Sequence, residues 1–300
     1  MQEPQSPHSH FIKMQFPKLL LLTAAALSLV VGATCSLTAQ EAKSGPAVSE
    51  AMGTPPAIEY LVDLADSKNH YLAITATIEP ASDEKSTELM MAVWTPGSYL
   101  IREYARHIDT MKVTDQDGNA LDFDKTKKNR WLVQHGEAKK IIVSYRLYCN
   151  EMSVRTNWVG MQYAMINGAP TYITVANRLD QPHIVELDLP RNWKRSATSL
   201  KQVNSTHRYR AENFDELVDS PIVAGNIAVY PFTAGGIEHQ LVNIGESGYW
   251  GGAKAATDLQ RMVEEHHRMW GTVPYDRYLF LNMISESGGG LEHNNSTLIM

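Results

Sequence analysis

Short stretches rich in Val, Ile, Thr, Tyr and Trp recur along most of this sequence, and they constrain the fold more than any other feature. They predict β-strands at residues 58–64, 71–78, 88–94, 131–133, 141–148, 183–189 and 227–232. Turn signals such as Asp117-Gly118-Asn119 and Asn167-Gly168 separate these strands. Because no amphipathic helix intervenes, we predict an antiparallel, β-sandwich-like N-terminal domain over residues 57–235.

The pattern changes after residue 251. Apolar residues recur at positions 256, 259, 262, 263 and 270, and this spacing predicts a helix over 253–270. An apolar stretch at 278–284 then predicts a buried strand, and a glycine-rich segment follows it. We therefore predict that residues 236–300 are the truncated start of an α/β domain. One helix and a few strands do not bury a core by themselves. Because the predicted β domain makes up most of the chain, the chain as a whole is expected to be mainly β.

The first residues have the order of a targeting segment. Lys13 and Lys18 precede an apolar run at 19–33, and small residues follow near position 39. This order predicts a signal peptide over 1–39 and a linker over 40–56, and therefore a periplasmic or secreted protein. An uncleaved membrane anchor is the alternative, although the run is short for a span of ~20 residues. If the signal is cleaved, we expect no stable membrane association.

Charge and cysteine content exclude several classes of protein. The sequence has 27 basic and 33 acidic residues, a formal net charge of −6, and no basic cluster, so nucleic-acid binding is not expected. The two cysteines are Cys35 and Cys149. Cleavage of the signal would leave Cys149 alone, without an internal disulfide, and its strand-like surroundings predict a buried structural thiol.

Three further stretches carry a family resemblance. The first spans residues 94–107 and reads WTPGSYLIREYARH, and the second spans 215–222 and reads DELVDSPI. The third reads VPYDRY at 273–278 and leads into GGLEH at 289–293 and Asn295-Ser296. In this order they resemble the glycyl aminopeptidase family, metallopeptidase family sixty-one, over nearly all of residues 57–300.

The resemblance implies an N-terminal β domain, a thermolysin-like catalytic domain and usually a C-terminal PDZ domain. It also implies an exported zinc aminopeptidase that removes small residues such as Gly and Ala from peptides with a free amino terminus. Such enzymes hold zinc on an H-E-x-x-H helix. The dipeptide H-E does not occur in this sequence, and the resemblance places that helix beyond residue 300. We therefore expect zinc in the full-length enzyme, but neither catalytic residues nor a bound metal in this fragment.

By resemblance, the GGLEH element is the substrate-binding strand. Glu292 would accept hydrogen bonds from the substrate's ammonium group, while Gly289, Gly290, Leu291 and His293 would complete the strand. Glycines let a substrate backbone approach closely, because no Cβ intervenes. A glycine-rich turn with surface Glu and His is the alternative interpretation of these five residues.

Two other patterns compete with this assignment. The Gly-Gly-x-Glu-His pattern occurs first at residues 235–239, between two strand-like stretches, where we predict a hairpin turn. Glu264 and His267 share a helix face and are candidate metal ligands, but charged residues on a helix usually form its solvated side, and the sequence has no partner motif for them. A non-catalytic, exported β-sandwich binding module is the alternative function for the whole chain.

Overall fold

The computed structural model describes residues 56–300. The predicted signal peptide and nearly all of the predicted linker lie outside these residues. The first ten strands are β1 Ile58–Asp63, β2 Tyr71–Ile78, β3 Ser86–Met91, β4 Ile108–Thr114, β5 Asp122–Lys127, β6 Arg130–Gln134, β7 Ile141–Tyr148, β8 Trp158–Val159, β9 Tyr163–Ile166 and β10 Ile173–Val175.

The second half of the chain adds strands and both α-helices. The strands are β11 His183–Asp188, β12 Arg195–Ala197, β13 Lys201–Gln202, β14 Arg208–Ala211, β15 Ile222–Gly225, β16 Ala228–Ala234, β17 Ile237–Ile244, β18 Arg277–Met283, β19 Gly290–Glu292 and β20 Ser296–Ile299. The helices are α1 Phe214–Val218 and α2 Gly252–Trp270. The chain is therefore mainly β, as predicted. Within residues 56–300, neither helix combines the length and apolar character that a membrane span requires.

Two sheets form the predicted sandwich. A seven-stranded sheet has the order β13-β14-β11-β1-β2-β7-β4, and a four-stranded sheet has the order β10-β3-β6-β5. Alternate side chains of each sheet enter one core, in which Tyr60, Leu72, Leu89 and Val133 are almost completely buried. The Tyr60 hydroxyl donates to the Ile173 carbonyl at 3.0 Å and so joins the two layers. Most pairings are antiparallel, whereas β1 and β11 run parallel.

A small third sheet connects this sandwich to the last part of the chain. Its order is β12-β15-β9-β8. Met165 of β9 and Val223 of β15 are buried in a second apolar cluster together with Val242, Leu279 and Leu298 from the following sheet. Residues 236–300 therefore do bury apolar side chains, because the third sheet supplies the opposite surface.

The last sheet is mixed and has the order β16-β17-β18-β20-β19. Helix α2 connects β17 to the parallel strand β18, and β18 pairs in parallel with β20. Strand β19 pairs antiparallel with β20 alone and forms one edge. The sheet begins at Ala228, so the hairpin of β16 and β17 spans residue 235, where we predicted the domain boundary. The boundary remains a prediction.

Long alternating strands agree closely with their predicted positions, whereas the short buried strands β9, β10 and β15 and the exposed strand β5 were not predicted. Strand β2 and strand β7 have the predicted bounds. The stretch predicted at 88–94 forms a strand only to Met91, because the chain then enters the turn at Pro96-Gly97. Strand β5 reads DFDKTK and is mostly exposed at a sheet edge, so hydrophobic alternation could not reveal it.

Candidate functional site

The predicted substrate-binding strand is the edge strand β19. Its side chains alternate, with Leu291 buried and Gly290 and Glu292 exposed. On the side that faces β20, the Gly289 carbonyl accepts from the Met300 N–H at 2.9 Å, and the His293 N–H donates to the Ser296 carbonyl at 2.8 Å. By alternation, the backbone groups of Gly290 and Glu292 point to the opposite edge, where the Glu292 carbonyl oxygen lies 3.5 Å from the position of a Cβ at Gly97.

The first family stretch packs directly on this strand. Pro96 and Gly97 occupy the centre of a turn in which the Ser98 N–H donates to the Thr95 carbonyl at 3.0 Å. Gly97 has a φ of +76°, and a Cβ there would lie 2.8 Å from the Leu291 Cδ1 atom. Glycine is therefore favoured at position 97 for two reasons: the backbone is left-handed there, and the turn lies close to β19. The contact between this turn and β19 was not predictable from the sequence alone.

The second stretch contacts the residues that follow β19. Helix α1 begins after Asn213, whose side chain accepts from the Glu216 N–H at 2.8 Å, and it ends at Asp219. The Asp219 carboxylate accepts from the His293 Nδ1 atom at 2.8 Å and from the Asn294 N–H at 2.9 Å. The His293 side chain is completely buried.

The third stretch holds the same turn from within the sheet. The Tyr278 hydroxyl donates to the Ser296 carbonyl at 2.9 Å and lies 3.5 Å from the His293 carbonyl. Burial raises the pKa of Tyr278 to about 12, and the negative charges of Glu292 and Asp219 contribute in the same direction. The phenol therefore keeps its proton near neutral pH and remains a donor. All three family stretches thus converge on β19 and the turn that follows it.

A cleft of about 570 Å³ opens beside the Glu292 carboxylate. Its walls are mostly apolar and aromatic, and they come from α2, β18 and the segment between them: Val263, His266, His267, Trp270, Thr272, Pro274, Tyr275, Tyr278 and Phe280, with Thr297 of β20. Glu292 is the one carboxylate in this lining.

The other predicted site residues have structural environments. The Leu291 side chain is 2% exposed and belongs to the second apolar cluster, and His293 is bound by Asp219. These two side chains support β19 and do not face the cleft. Gly289, with a φ of +150°, has backbone geometry that favours glycine.

The remaining candidates do not form a site. Glu264 accepts from Gln260, and His267 bonds to the Tyr275 hydroxyl at 3.0 Å, so these two predicted ligands have separate partners. Among residues 56–300 there is no group of three or more His, Cys, Asp or Glu side chains that could hold a metal ion. Cys149 is buried, and burial raises the pKa of its thiol to about 12, which suits a structural role and not a nucleophile.

Polar and glycine residues in the segment 155–168 also have structural partners. The Asn167 N–H donates to the Asn157 side chain at 2.8 Å, and the Arg155 carbonyl accepts from the Tyr104 hydroxyl at 3.0 Å. A Cβ at Gly168 would lie 2.4 Å from the Leu217 carbonyl oxygen, so glycine allows the loop to approach α1. Asp219 is the residue whose role could not be predicted, because its contacts with the two residues after β19 cross a long stretch of sequence.

Comparison with known proteins agrees with this arrangement. The crystal structure of an aminopeptidase N family protein from Idiomarina loihiensis matches with a TM-score of 0.72 and 29% identity, over 81% of this chain and 42% of that protein. The chain thus spans less than half the length of that protein. No curated protein matches the sequence. The family model for the Peptidase M61 N-terminal domain matches residues 59–226.

This match covers more than half of the 300 residues, and the resemblance to a peptidase family expected from the three sequence stretches is thereby confirmed. The solved structure that it resembles is likewise described as a peptidase, of the aminopeptidase N family. The chain belongs to the Peptidase M61 N-terminal domain family.

Proposed function

We propose that this chain supplies the β domain and the amino-terminus-binding strand of an exported, zinc-dependent aminopeptidase. The observation that carries the proposal is the convergence of all three family stretches on β19, beside a cleft with a single carboxylate in its lining. Its substrates would be peptides with a free amino terminus and a small first residue, such as Gly or Ala.

In this proposal Glu292 selects the peptide end. Its carboxylate borders a mostly apolar cleft, where a charge-assisted hydrogen bond to an ammonium group is stronger than in water. An amide within a peptide chain has no cation to offer. Recognition by Glu292 would therefore make the enzyme an exopeptidase.

The edge position of β19 supports the binding of an extended substrate. The outward backbone groups of Gly290 would pair with an added strand, as in β-augmentation, whereas the Glu292 carbonyl lies next to the Gly97 turn. A Cβ at Gly290 would lie 3.6 Å from the nearest atom, Oε1 of Glu292, which is ordinary van der Waals contact. Packing within the chain therefore does not demand glycine at this position, whereas a closely approaching substrate backbone would.

We propose zinc binding only for the full-length enzyme. Residues 56–300 lack a set of ligands that fits the metal, so the roles assigned to this chain are recognition and orientation of the peptide. Export to the periplasm or medium rests on the signal peptide predicted at 1–39.

The test compares the full-length gene product with two alanine variants. We define the amine preference as kcat/KM for Ala-p-nitroanilide divided by kcat/KM for its N-acetylated form. In Glu292→Ala, kcat/KM for the free amine should fall about 100-fold, or about 2.7 kcal/mol, because the ammonium loses its acceptor. The amine preference should fall with it.

Glu238→Ala is the matched control, because Glu238 has the equivalent position in the first copy of the Gly-Gly-x-Glu-His pattern and is exposed. It should keep the amine preference of the wild type. Full activity and full amine preference in Glu292→Ala would refute the role of Glu292. A full-length product that binds peptides without hydrolysing them would support the binding-module alternative instead.

A further inference from the structure

We propose that Asp219 is a positioning residue for Glu292. Through its contacts with His293 and Asn294, it holds the end of β19 in the register that keeps the Glu292 carboxylate at the cleft. The inference rests on the proposed function, since it concerns the same recognition site.

The contact is specific in its geometry. One carboxylate oxygen of Asp219 accepts from the His293 ring at 2.8 Å, and the other accepts from the Asn294 backbone N–H at 2.9 Å. A single side chain therefore binds two consecutive residues. The His293 side chain is fully buried and that of Asp219 is 12% exposed, so water competes little for these hydrogen bonds.

Strand β19 needs such an external support. It has three residues, Gly290–Glu292, and it pairs with one neighbour only. Short edge strands open locally at low cost, because few hydrogen bonds hold them. Leu291 anchors the middle of the strand in the apolar cluster, and Asp219 binds the residues immediately after Glu292. Glu292 thus lies between two fixed points.

The support comes from a different part of the protein than the strand. Asp219 lies within the family-matched residues 59–226, at the end of α1, whereas Glu292 lies outside that match. By this inference, the N-terminal domain contributes to substrate recognition by fixing the strand that carries Glu292, and not only by packing against the sheet.

The hydrogen-bond chemistry explains why a carboxylate is required. An ionised carboxylate only accepts, so His293 carries its proton on Nδ1, and its Nε2 atom is buried without a hydrogen-bond partner among residues 56–300. In Asp219→Asn, the amide presents one oxygen and one NH₂ group where the carboxylate presents two oxygens, so a donor replaces an acceptor opposite either the ring or the Asn294 N–H. An amide NH₂ facing His293 Nδ1 would force the proton onto Nε2 and leave a buried donor unsatisfied.

The experiment measures the amine preference of Asp219→Asn in the full-length gene product. Misplacement of Glu292 should lower this ratio by about tenfold or more. A variant that merely loses folded protein would reduce both rates equally and leave the ratio unchanged. Asp215→Asn is the matched control, because Asp215 lies exposed on the same short helix, and it should keep the wild-type ratio.

Two additional measurements keep the outcome decisive. His293→Gln removes the ring and keeps the Asp219–Asn294 contact, so it should lower the amine preference less than Asp219→Asn does. In the 300-residue chain, Asp219→Asn should accelerate amide hydrogen exchange at Leu291 and Asn294. Asp215→Asn should exchange these amides at the wild-type rate. This second measurement does not depend on catalysis.

The outcomes separate the two proposals. If Glu292→Ala loses the amine preference while Asp219→Asn retains it and exchanges like the wild type, the positioning role of Asp219 is wrong and the proposed function stands. If the wild type has no amine preference, the proposed function fails and the role assigned to Asp219 fails with it.

Discussion

The Gly-Gly-x-Glu-His pattern occurs twice in this chain, and the two copies have different structures. In the first copy, Gly235 and Gly236 have φ values of +58° and +80° and form the two-residue turn between β16 and β17, as predicted. In the second copy, Gly290 lies in the edge strand β19. Two copies that differ only by Ile or Leu at the third position therefore make a hairpin turn in one place and an extended strand in the other.

The two histidines also differ in what holds them. His239 is buried, and its ring stacks on Phe232 at a centroid distance of 5.1 Å, a neighbour on the paired strand of the same hairpin. His293 is held by Asp219, which is distant in sequence. The first copy packs on its own hairpin and on His267 and Tyr275, which follow it in the chain, whereas the second is bound by a residue of the family-matched N-terminal region. This difference shows that the pattern alone does not identify a binding strand.

The largest expected effect on the free energy of unfolding comes from replacing the apolar residue at the centre of each copy, and it should differ between the two copies. Leu291 is buried in the second apolar cluster, so Leu291→Ala should lower the free energy of unfolding by about 3 kcal/mol. Ile237 is half-buried at the end of the hairpin, and Ile237→Ala should cost about 1 kcal/mol. Urea unfolding of the 300-residue chain measures both. Equal losses would show that the two copies are anchored alike.

A reciprocal pair of glycine substitutions should sharpen the comparison. Gly235→Ala places a side chain at a left-handed φ, with its Cβ 2.8 Å from the Nδ1 atom of His267, and should cost about 1–2 kcal/mol in unfolding free energy. Gly290→Ala meets only ordinary contacts and should change that free energy by less than about 0.5 kcal/mol.

The functional expectation for glycines of the two copies is reversed. In the full-length gene product, Gly290→Ala should lower kcat/KM for Ala-p-nitroanilide, because the added methyl group lies on the strand to which the substrate is proposed to bind. Gly236→Ala, whose added Cβ has no atom within 4 Å, should leave the kcat/KM of the folded enzyme unchanged. If Gly290→Ala destabilises the chain strongly and leaves kcat/KM unaltered, the glycine serves the fold and not the substrate.

The smallest effect concerns the pH dependence of the first copy. Burial lowers the pKa of His239 below its ordinary value of 6.5, and the nearby charge of His267 also lowers it. The folded chain then binds fewer protons than the unfolded chain. The contribution of His239 to stability is therefore complete above pH 6.5 and is lost as the pH falls from 6.5 through the folded-state value.

His239→Gln removes this titration and should flatten the pH dependence slightly. Unfolding free energies measured from about pH 8 to about pH 5 should decline less in His239→Gln than in the wild type. The difference between the two proteins isolates His239, because the other histidines are common to both. Parallel pH profiles would show that His239 binds protons equally in the folded and unfolded states.

Much of the fold was predictable because its strands are apolar and regularly alternating. The hydrophobic pattern defines β2, β7 and β18 almost to the residue, and two adjacent glycines between strands define the hairpin at 235–236. The exposed strand β5 was missed because its polar sequence has no buried face to mark it.

The sequence by itself thus determined the mainly β fold, the family stretches and the identity of the residues in the candidate strand. Only the tertiary structure decided which copy of the repeated pattern lies beside a cleft and which distant groups hold it. Gly97, Asp219 and Tyr278 meet at β19 through contacts between separate loops and sheets. The local hydrophobic pattern indicates which neighbouring residues are buried. Contacts between distant loops and sheets form only when whole sheets pack together, so no short stretch of sequence predicts them.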